Sequence, residues 1–419
     1  MPNKRKIIND PVFGFLTIPN DLVYDVLQHP YVQRLNRIKQ LGLSNVVYPG
    51  AVHTRFSHSI GAMHLMQEAI ASLRQKGVAI SEEEATAAEI AILLHDIGHG
   101  PFSHVLEHTM VEGITHEEIS LMMMEQINKD LHGGLDLAIA IFKDEYKHHF
   151  LHQLISSQLD VDRMDYLCRD SFFTGVQEGR VASDRLLKML NVVDDRLVVE
   201  QKGIYSVEKF LVARRLMYWQ VYLHKTSVAA EQLLIAVLSR AKELARLTVD
   251  GGQCTMHGGK ETLFASPALR YFLYNHISEK DFYVGSEAVR QYALLDDSDV
   301  ISAIKSWMSH EDKVLRLLSE AFINRRLYKG HLLNTPLTEE EKAERVAYYA
   351  GTLGIDQADA HYFFVEHIST NSTYSEKDDS IDILYNNGTV EDIASASEIL
   401  SMESLTRKPK KRYLFEFRV

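Results

Sequence analysis

The segment Leu93–His104 reads LLHDIGHGPFSH and brings His95, Asp96, His99 and His104 close together in the chain. Imidazole is the commonest transition-metal ligand and the side chain that titrates nearest neutrality, so this density points to a metal site or an acid/base site. It belongs to a wider excess, with twelve of the 20 histidines lying between His53 and His152. A metal shell needs more donors than the His95-Asp96 pair, and two other segments offer them. His58 lies in HTRFSHSIG three residues after Arg55, so one helix face carries both a ligand and a cation. Asp162 lies in LDVDRMDYLCRD, where Asp162, Tyr166 and Asp170 are spaced by four and fall within about 80° of one another around a helix. Together His58, His95, Asp96 and Asp162 make a mixed nitrogen and oxygen shell, suited to one divalent Mn, Fe, Ni, Zn or Mg ion with water in the open positions. Arg214, Tyr218, Tyr222 and Lys225 also fall within about 80° on a continuous helix, a polar and aromatic stripe.

Each of these residues has a plainer reading. A single histidine at the end of a buried helix is usually a satisfied core residue, but an adjacent buried carboxylate reverses that for His95, because it needs a partner of its own. His64 faces away from His58, and His108, His132, His148, His149 and His152 read as core or surface residues. Asp160 and Asp165 read as helix caps or ion-pair members. Arg214 can pair with an acidic neighbour as readily as with phosphate. Met122–Met124 reads as core filling.

The elements that must position these groups are mostly helical. From Leu22 to about Ala245 apolar residues recur three and four apart, with punctuation at Pro30, Gly42, Pro49-Gly50, Gly77 and Gly98 to Pro101. Ala85–Leu94 is apolar nearly all round, which predicts a central helix delivering His95 and Asp96 to the interior. Short β-branched runs from Val192 to Tyr205 predict a hairpin, followed by a long helix from Val207 to Ala245. Helical pattern continues to Arg326 after the loop VDGGQCTMHGGK. HYFFVEHIST, SIDILYNN and RYLFEFRV then read as strands, with VEDIASASEIL as a helix between them. The expected fold is mainly α: a helical bundle with a small inserted β-hairpin and a C-terminal α+β appendage. Its expected divisions are an N-terminal segment (1–21), a catalytic domain (22–245), a helical extension (246–330) and an α+β region (331–419).

Composition narrows the function classes. At 46% apolar and 24% charged residues the chain is neither disordered nor a disulfide scaffold. A net charge of −12 repels polyanions, so stable nucleic-acid binding is not expected and any cations that matter must be concentrated locally. Cys168 and Cys254 form no CxxC pair, which fits a reducing, cytoplasmic setting. No apolar run is long enough to span a bilayer, so no membrane partner is expected. Lys4 to Lys6 reads as a solvated terminus.

The order H…HD…D resembles the HD-domain phosphohydrolases, whose helical fold it implies. IKQLG, YPGAVHTRFSHSIG, HDIGHGPFSH, THEEIS, LDVDRMDYLCRDSFFTG and RRLMYWQVYLHK narrow the resemblance to deoxynucleoside triphosphate (dNTP) triphosphohydrolases related to the animal sterile-alpha-motif and HD-domain enzyme, over about Leu22–Ala245. The resemblance implies that His58, His95, Asp96 and Asp162 hold the metal, and that His99, His104 and His116 with Glu117 form the acid/base group beside it. It implies attack of metal-bound hydroxide on the α-phosphorus, releasing deoxynucleoside and tripolyphosphate, with His99 or His104 protonating O5′. Arg55, Arg163, Arg214 and Lys225 would hold phosphates. Gln40, Leu41, Tyr166, Asp170 and Tyr222 would surround sugar and base, with Gln40 and Asp170 reading the 3′-OH and Tyr222 crowding a 2′-OH. A homo-oligomer, dimer or tetramer, and an activator nucleotide are also implied, although Gln28 and Asn36 stand where nucleotide-activated relatives read guanine with an Asp and an Arg. Two other readings are a different HD-domain activity (nucleotidase, cyclic-nucleotide phosphodiesterase or alarmone hydrolase) and a nucleotide-sensing or single-strand nucleic-acid-binding protein without turnover.

Overall fold

The computed structural model describes residues 6–102, 105, 109–111, 113–250, 263–370, 380–399 and 409–419, without the side chains of 247–250. Helices dominate it, and local chemistry marks where they begin. Thr54 accepts from Ser57 N–H at the start of the Arg55–Gln75 helix. Ser81 with Glu84, and Thr115 with Glu118, form capping boxes at the starts of Glu82–Leu94 and His116–Asp130. Asp160 caps Val161–Thr174, which ends at Gly175 with a left-handed φ of 76°.

Glu82–Leu94 is almost wholly buried. It packs on Arg55–Gln75, which packs in turn on Val161–Thr174. These three helices carry His95, His58 and Asp162. An apolar core runs continuously from Leu16 through them to Phe417. Gly61 lets two of the helices approach, because a Cβ there would lie 2.0 Å from Asp165 Oδ1 and 2.1 Å from Arg169 Nη2. Among the described residues no helix is long and apolar enough to cross a membrane.

Two expectations need correction. The helix expected from Val207 to Ala245 is broken: Ile204–Met217 leads into a π-helical turn, Tyr218–Tyr222, and a new helix, Lys225–Asp250, follows. In the turn Leu223 N–H bonds Tyr218 O at 2.7 Å, five residues back, and Gln220 O, which an uninterrupted helix gives to His224 N–H, accepts from Tyr48 Oη at 2.5 Å. The changed winding takes Lys225 out of register with Arg214, and Lys225 is exposed. The helix expected in VEDIASASEIL is a single turn, Ile393–Ala396, after the strand Val390–Asp392. It stops because Ser397 Oγ and Ile399 N–H both turn to Glu208 Oε1.

The hairpin Leu190–Val193 with Arg196–Glu200 does not stand alone. Arg196–Glu200 pairs in parallel with Asp382–Leu384, which pairs with Val390–Asp392, so the C-terminal region completes a four-stranded sheet on the bundle. Lys329–Leu333, Lys410–Glu416 and Phe364–Thr370 form a separate antiparallel sheet, and Ile7–Asp10 pairs with Gly14–Thr17 in an N-terminal hairpin.

Gly61→Ala should destabilise the protein by about 3 kcal/mol or more, because the methyl group displaces partners of a buried ion pair. Urea unfolding checks this; a loss below about 1 kcal/mol would show that the helices part without cost.

Candidate metal centre

His95 is the C-cap of Glu82–Leu94 and Asp96 follows it, at the end of a helix whose dipole favours a cation. His58 enters from the first turns of Arg55–Gln75 and Asp162 from the first turn of Val161–Thr174. The structure brings all four together. His58 Nε2 and His95 Nε2 lie 3.1 and 3.3 Å from Asp162 Oδ1, and 3.8 and 3.4 Å from the Asp96 carboxylate. Metal bonds of about 2.1 Å at right angles need donors about 3 Å apart, and three of the four separations lie close to that, the His58–Asp96 one being longer. Both Nε2 atoms are buried, yet neither has a hydrogen bond of acceptable geometry. Orphaned nitrogens that converge on carboxylate oxygens are what a cation would satisfy, so the residues fit a divalent metal.

The opposite edge of each imidazole is fixed. His95 Nδ1 lies 2.6 Å from Ile92 O, and His58 Nδ1 lies 2.7 Å from Asp165 Oδ2. Asp165 accepts two bonds from Arg169 Nε and Nη2 at 3.0 and 2.9 Å, and Arg169 Nη1 reaches Asp10 Oδ2 at 2.6 Å.

Electrostatics agree with a site that favours positive charge. Burial alone would push the His58 imidazolium down, but the close carboxylates of Asp162 and Asp165 outweigh it and raise the group to about 10. His95 is also raised, burial being overcome by Asp96 and Asp162. Burial would raise both carboxyls as well, yet Asp96 is held well below the usual range by His95, His99 and Arg55, and Asp162 by His95 and His58. Without metal the site retains protons on its imidazoles, and a divalent ion takes their place.

Beside these four stands a second cluster. The His99 and His116 rings stack with centroids 3.8 Å apart. His99 Nε2 is 3.4 Å from Asp96 Oδ1, and His116 Nε2 is 3.3 Å from the largely exposed Glu117 carboxylate. Asp96, His99, His116 and Glu117 thus form a row of contacts that reaches from the Asp96 carboxylate to the exposed Glu117. Gly98 makes the approach possible: a Cβ would fall 2.2 Å from His116 O, and Gly98 N–H donates to Ser120 Oγ at 2.9 Å. His104 lies outside the described residues.

The three arginines expected at phosphates line the same region, each held by a protein acceptor. Arg55 Nη1 donates to Asp96 Oδ2 at 2.6 Å, Arg163 pairs with Asp160, and Arg214 Nη1 donates to Gln158 Oε1 at 3.1 Å. The partner of Arg214 is therefore an amide, and its Nε and that of Arg163 are buried without a hydrogen bond. Lys225 is exposed at the start of the Lys225–Asp250 helix. Tyr222 Oη donates to Asp170 Oδ2 at 2.8 Å, and its ring meets those of Tyr166 and Tyr218 edge-on at 6.0 and 5.2 Å. Gln40 Oε1 is buried without a partner, Leu41 is half-buried, and Gln28 and Asn36 are exposed.

Several contributors escaped the sequence reading. His53 Nε2 bonds Asp170 Oδ1 at 2.7 Å and its ring stacks on Phe173. Arg34 and Ser120 bond the backbone of the His95–His99 turn. Only Asp165 left a signal, its i,i+4 spacing to Arg169. A separate groove lined by His64, Cys168, Ser183 and Arg185 holds none of these donors.

This donor set, on a helical bundle, is that of an HD-domain phosphohydrolase, and the chain belongs to that family. The family model of the HD domain matches residues 55–170, and that of the HD associated region matches 181–250. A crystal structure of a phosphohydrolase from Bacteroides thetaiotaomicron is similar over 99% of this chain and 100% of its own, with TM-score 0.93 and 55% identity. The uncharacterized protein YwfO of Bacillus subtilis is 30% identical over 97% of this chain and 90% of its own. The human deoxynucleoside triphosphate triphosphohydrolase SAMHD1 is 28% identical over 59% of this chain, a match that spans 46% of the human protein.

Because the metal-free site holds His58 protonated up to about pH 10, metal uptake at pH 7.5 should release about one proton or more, and affinity should fall as pH is lowered. Calorimetry of Mn binding in buffers of different ionisation enthalpy measures this; uptake without proton release would contradict the site as described. Asp162→Ala should lose tight metal binding while remaining folded by circular dichroism.

Proposed function

We propose that the protein is a metal-dependent triphosphohydrolase that converts dNTPs to deoxynucleoside and tripolyphosphate. The observation that carries this reading is the gathering of Arg55, Arg163 and Arg214 with Tyr166, Tyr222 and Asp170 around the four metal donors. A site for a simple phosphomonoester needs one or two cations, whereas a triphosphate bears about four negative charges and needs several. The relatives named as dNTP triphosphohydrolases, in human and in Dictyostelium discoideum, support the same reading.

His58, His95, Asp96 and Asp162 would hold one divalent ion, which when bound polarises a phosphoryl oxygen and lowers the pKa of water. Arg55 steadies Asp96 and adds positive charge beside the donors, where charge develops on the α-phosphoryl group. Arg163 and Arg214 turn their unsatisfied Nε–H groups to the remaining phosphate oxygens. His99, backed by Asp96 and stacked on His116, donates the proton that O5′ needs in order to leave, with His104 the other candidate. Asp170, held by Tyr222 and His53, accepts from the sugar hydroxyl together with Gln40, and the Tyr222 ring crowds a 2′-OH. The exposed Tyr205, Val212 and Leu216 on one helix support a homo-oligomer, dimer or tetramer, and two cysteines without a CxxC pair fit a cytoplasmic setting.

Incubation with Mn or Mg and each dNTP, alone and with GTP or dGTP, should give deoxynucleoside and tripolyphosphate by chromatography. Pyrophosphate or orthophosphate as the first product would sink the reading. His99→Gln should lower kcat by about 10²–10⁴ with metal content unchanged; wild-type kcat would move the proton-donor role to another residue.

A further inference from the structure

We propose that Asp297 is a positioning residue for this active site, and that the turn Leu295–Asp297, which lies outside both matched family segments, sets the spacing between the Gln40 loop and the His99 turn. Asp297 is the first residue of the Asp297–Trp307 helix, which Asp296 caps. Its side chain is buried and faces backbone from two other segments. Asp297 Oδ2 accepts from Lys39 N–H at 3.1 Å, next to Gln40, and Oδ1 accepts from Phe102 N–H at 3.4 Å, three residues after His99. One carboxylate thus bridges both walls of the site.

The neighbouring residues repeat the bridge. Arg34, fully buried, donates from Nε to Leu295 O at 2.8 Å, from Nη1 to Ile97 O at 3.2 Å and from Nη2 to His99 O at 2.9 Å. Arg37 pairs with Asp296 at 2.5 Å. Phe102 itself has φ 54°, a left-handed conformation that a non-glycine residue keeps only where its surroundings over-determine it. Asp297 and the adjoining Gly42 supply those surroundings. A carboxylate is required because two N–H groups approach different oxygens, and an amide offers only one acceptor.

The test compares wild type with Asp297→Asn and with Asp297→Ser, which keeps a short acceptor should the first variant not fold. The kinetic arm rests on the triphosphohydrolase reading: KM for dNTP should rise about 10-fold, with kcat changed less than about 3-fold and metal content unchanged. The second arm needs no substrate. Amide exchange should quicken in peptides covering Lys39–Gln40 and Phe102 while the Val161–Thr174 helix keeps its protection. If wild type does not hydrolyse dNTPs, the proposed function fails and the exchange arm alone decides the positioning role. Unchanged exchange at Lys39 and Phe102, faster exchange throughout the chain, or an unchanged KM in an active enzyme would each overturn the proposal.

Discussion

Asp10, Arg169, Asp165 and His58 form a chain of charged and polar side chains with essentially no exposure to solvent. Removing such charges from water is costly, and the arrangement persists because every member is paired. Arg169 lies between two carboxylates, and Asp165 divides itself between Arg169 and His58. The result is an imidazole whose Nδ1 edge is committed and whose Nε2 is left facing Asp162 and Asp96. The N-terminal hairpin, through Asp10, therefore takes part in aiming a metal ligand that sits in another part of the chain.

The rest of the site is built by similar constraints on backbone. Glu82–Leu94 ends with His95 in the interior, and Gly98 lets the His116–Asp130 helix lie close enough to stack His116 on His99. The π-helical turn carries Tyr218 and Tyr222 into the aromatic group around Asp170. Each device serves geometry at the cost of local regularity, as functional regions commonly do. The C-terminal sheets attach to the same framework: Asp382–Leu384 extends the hairpin beside the Arg55–Gln75 helix, and Lys411 lies over the Trp219 ring in the π-turn, 4.0 Å from its centroid.

How much of this could be read beforehand depended on the range of the interactions involved. The helical periodicity, the central apolar helix and the inserted hairpin are local properties and were legible. That His58, His95, Asp96 and Asp162 would lie close together was legible too, because residue type and order point to a shared site. Interactions between residues far apart in the chain were not. His53 meets Asp170 across 117 positions, Tyr48 meets Gln220 across 172 and Arg34 meets Leu295 across 261. No periodicity anticipates such pairs, and one of them, the Tyr48 bond to Gln220, falls in the turn that breaks the helix the pattern had made continuous. Lys225 was expected on the phosphate face from that continuous pattern and from the family resemblance. Asp165 stood between these cases: its pairing with Arg169 is local, whereas its hold on His58 is not.

The central claim is that His58, His95, Asp96 and Asp162 converge on a single divalent ion. The most direct measurement is anomalous diffraction at the manganese edge from crystals grown with Mn. One peak about 2.1 Å from both Nε2 atoms and from an oxygen of each carboxylate is the result expected. A peak elsewhere, or none at this position with the metal in excess, would contradict it.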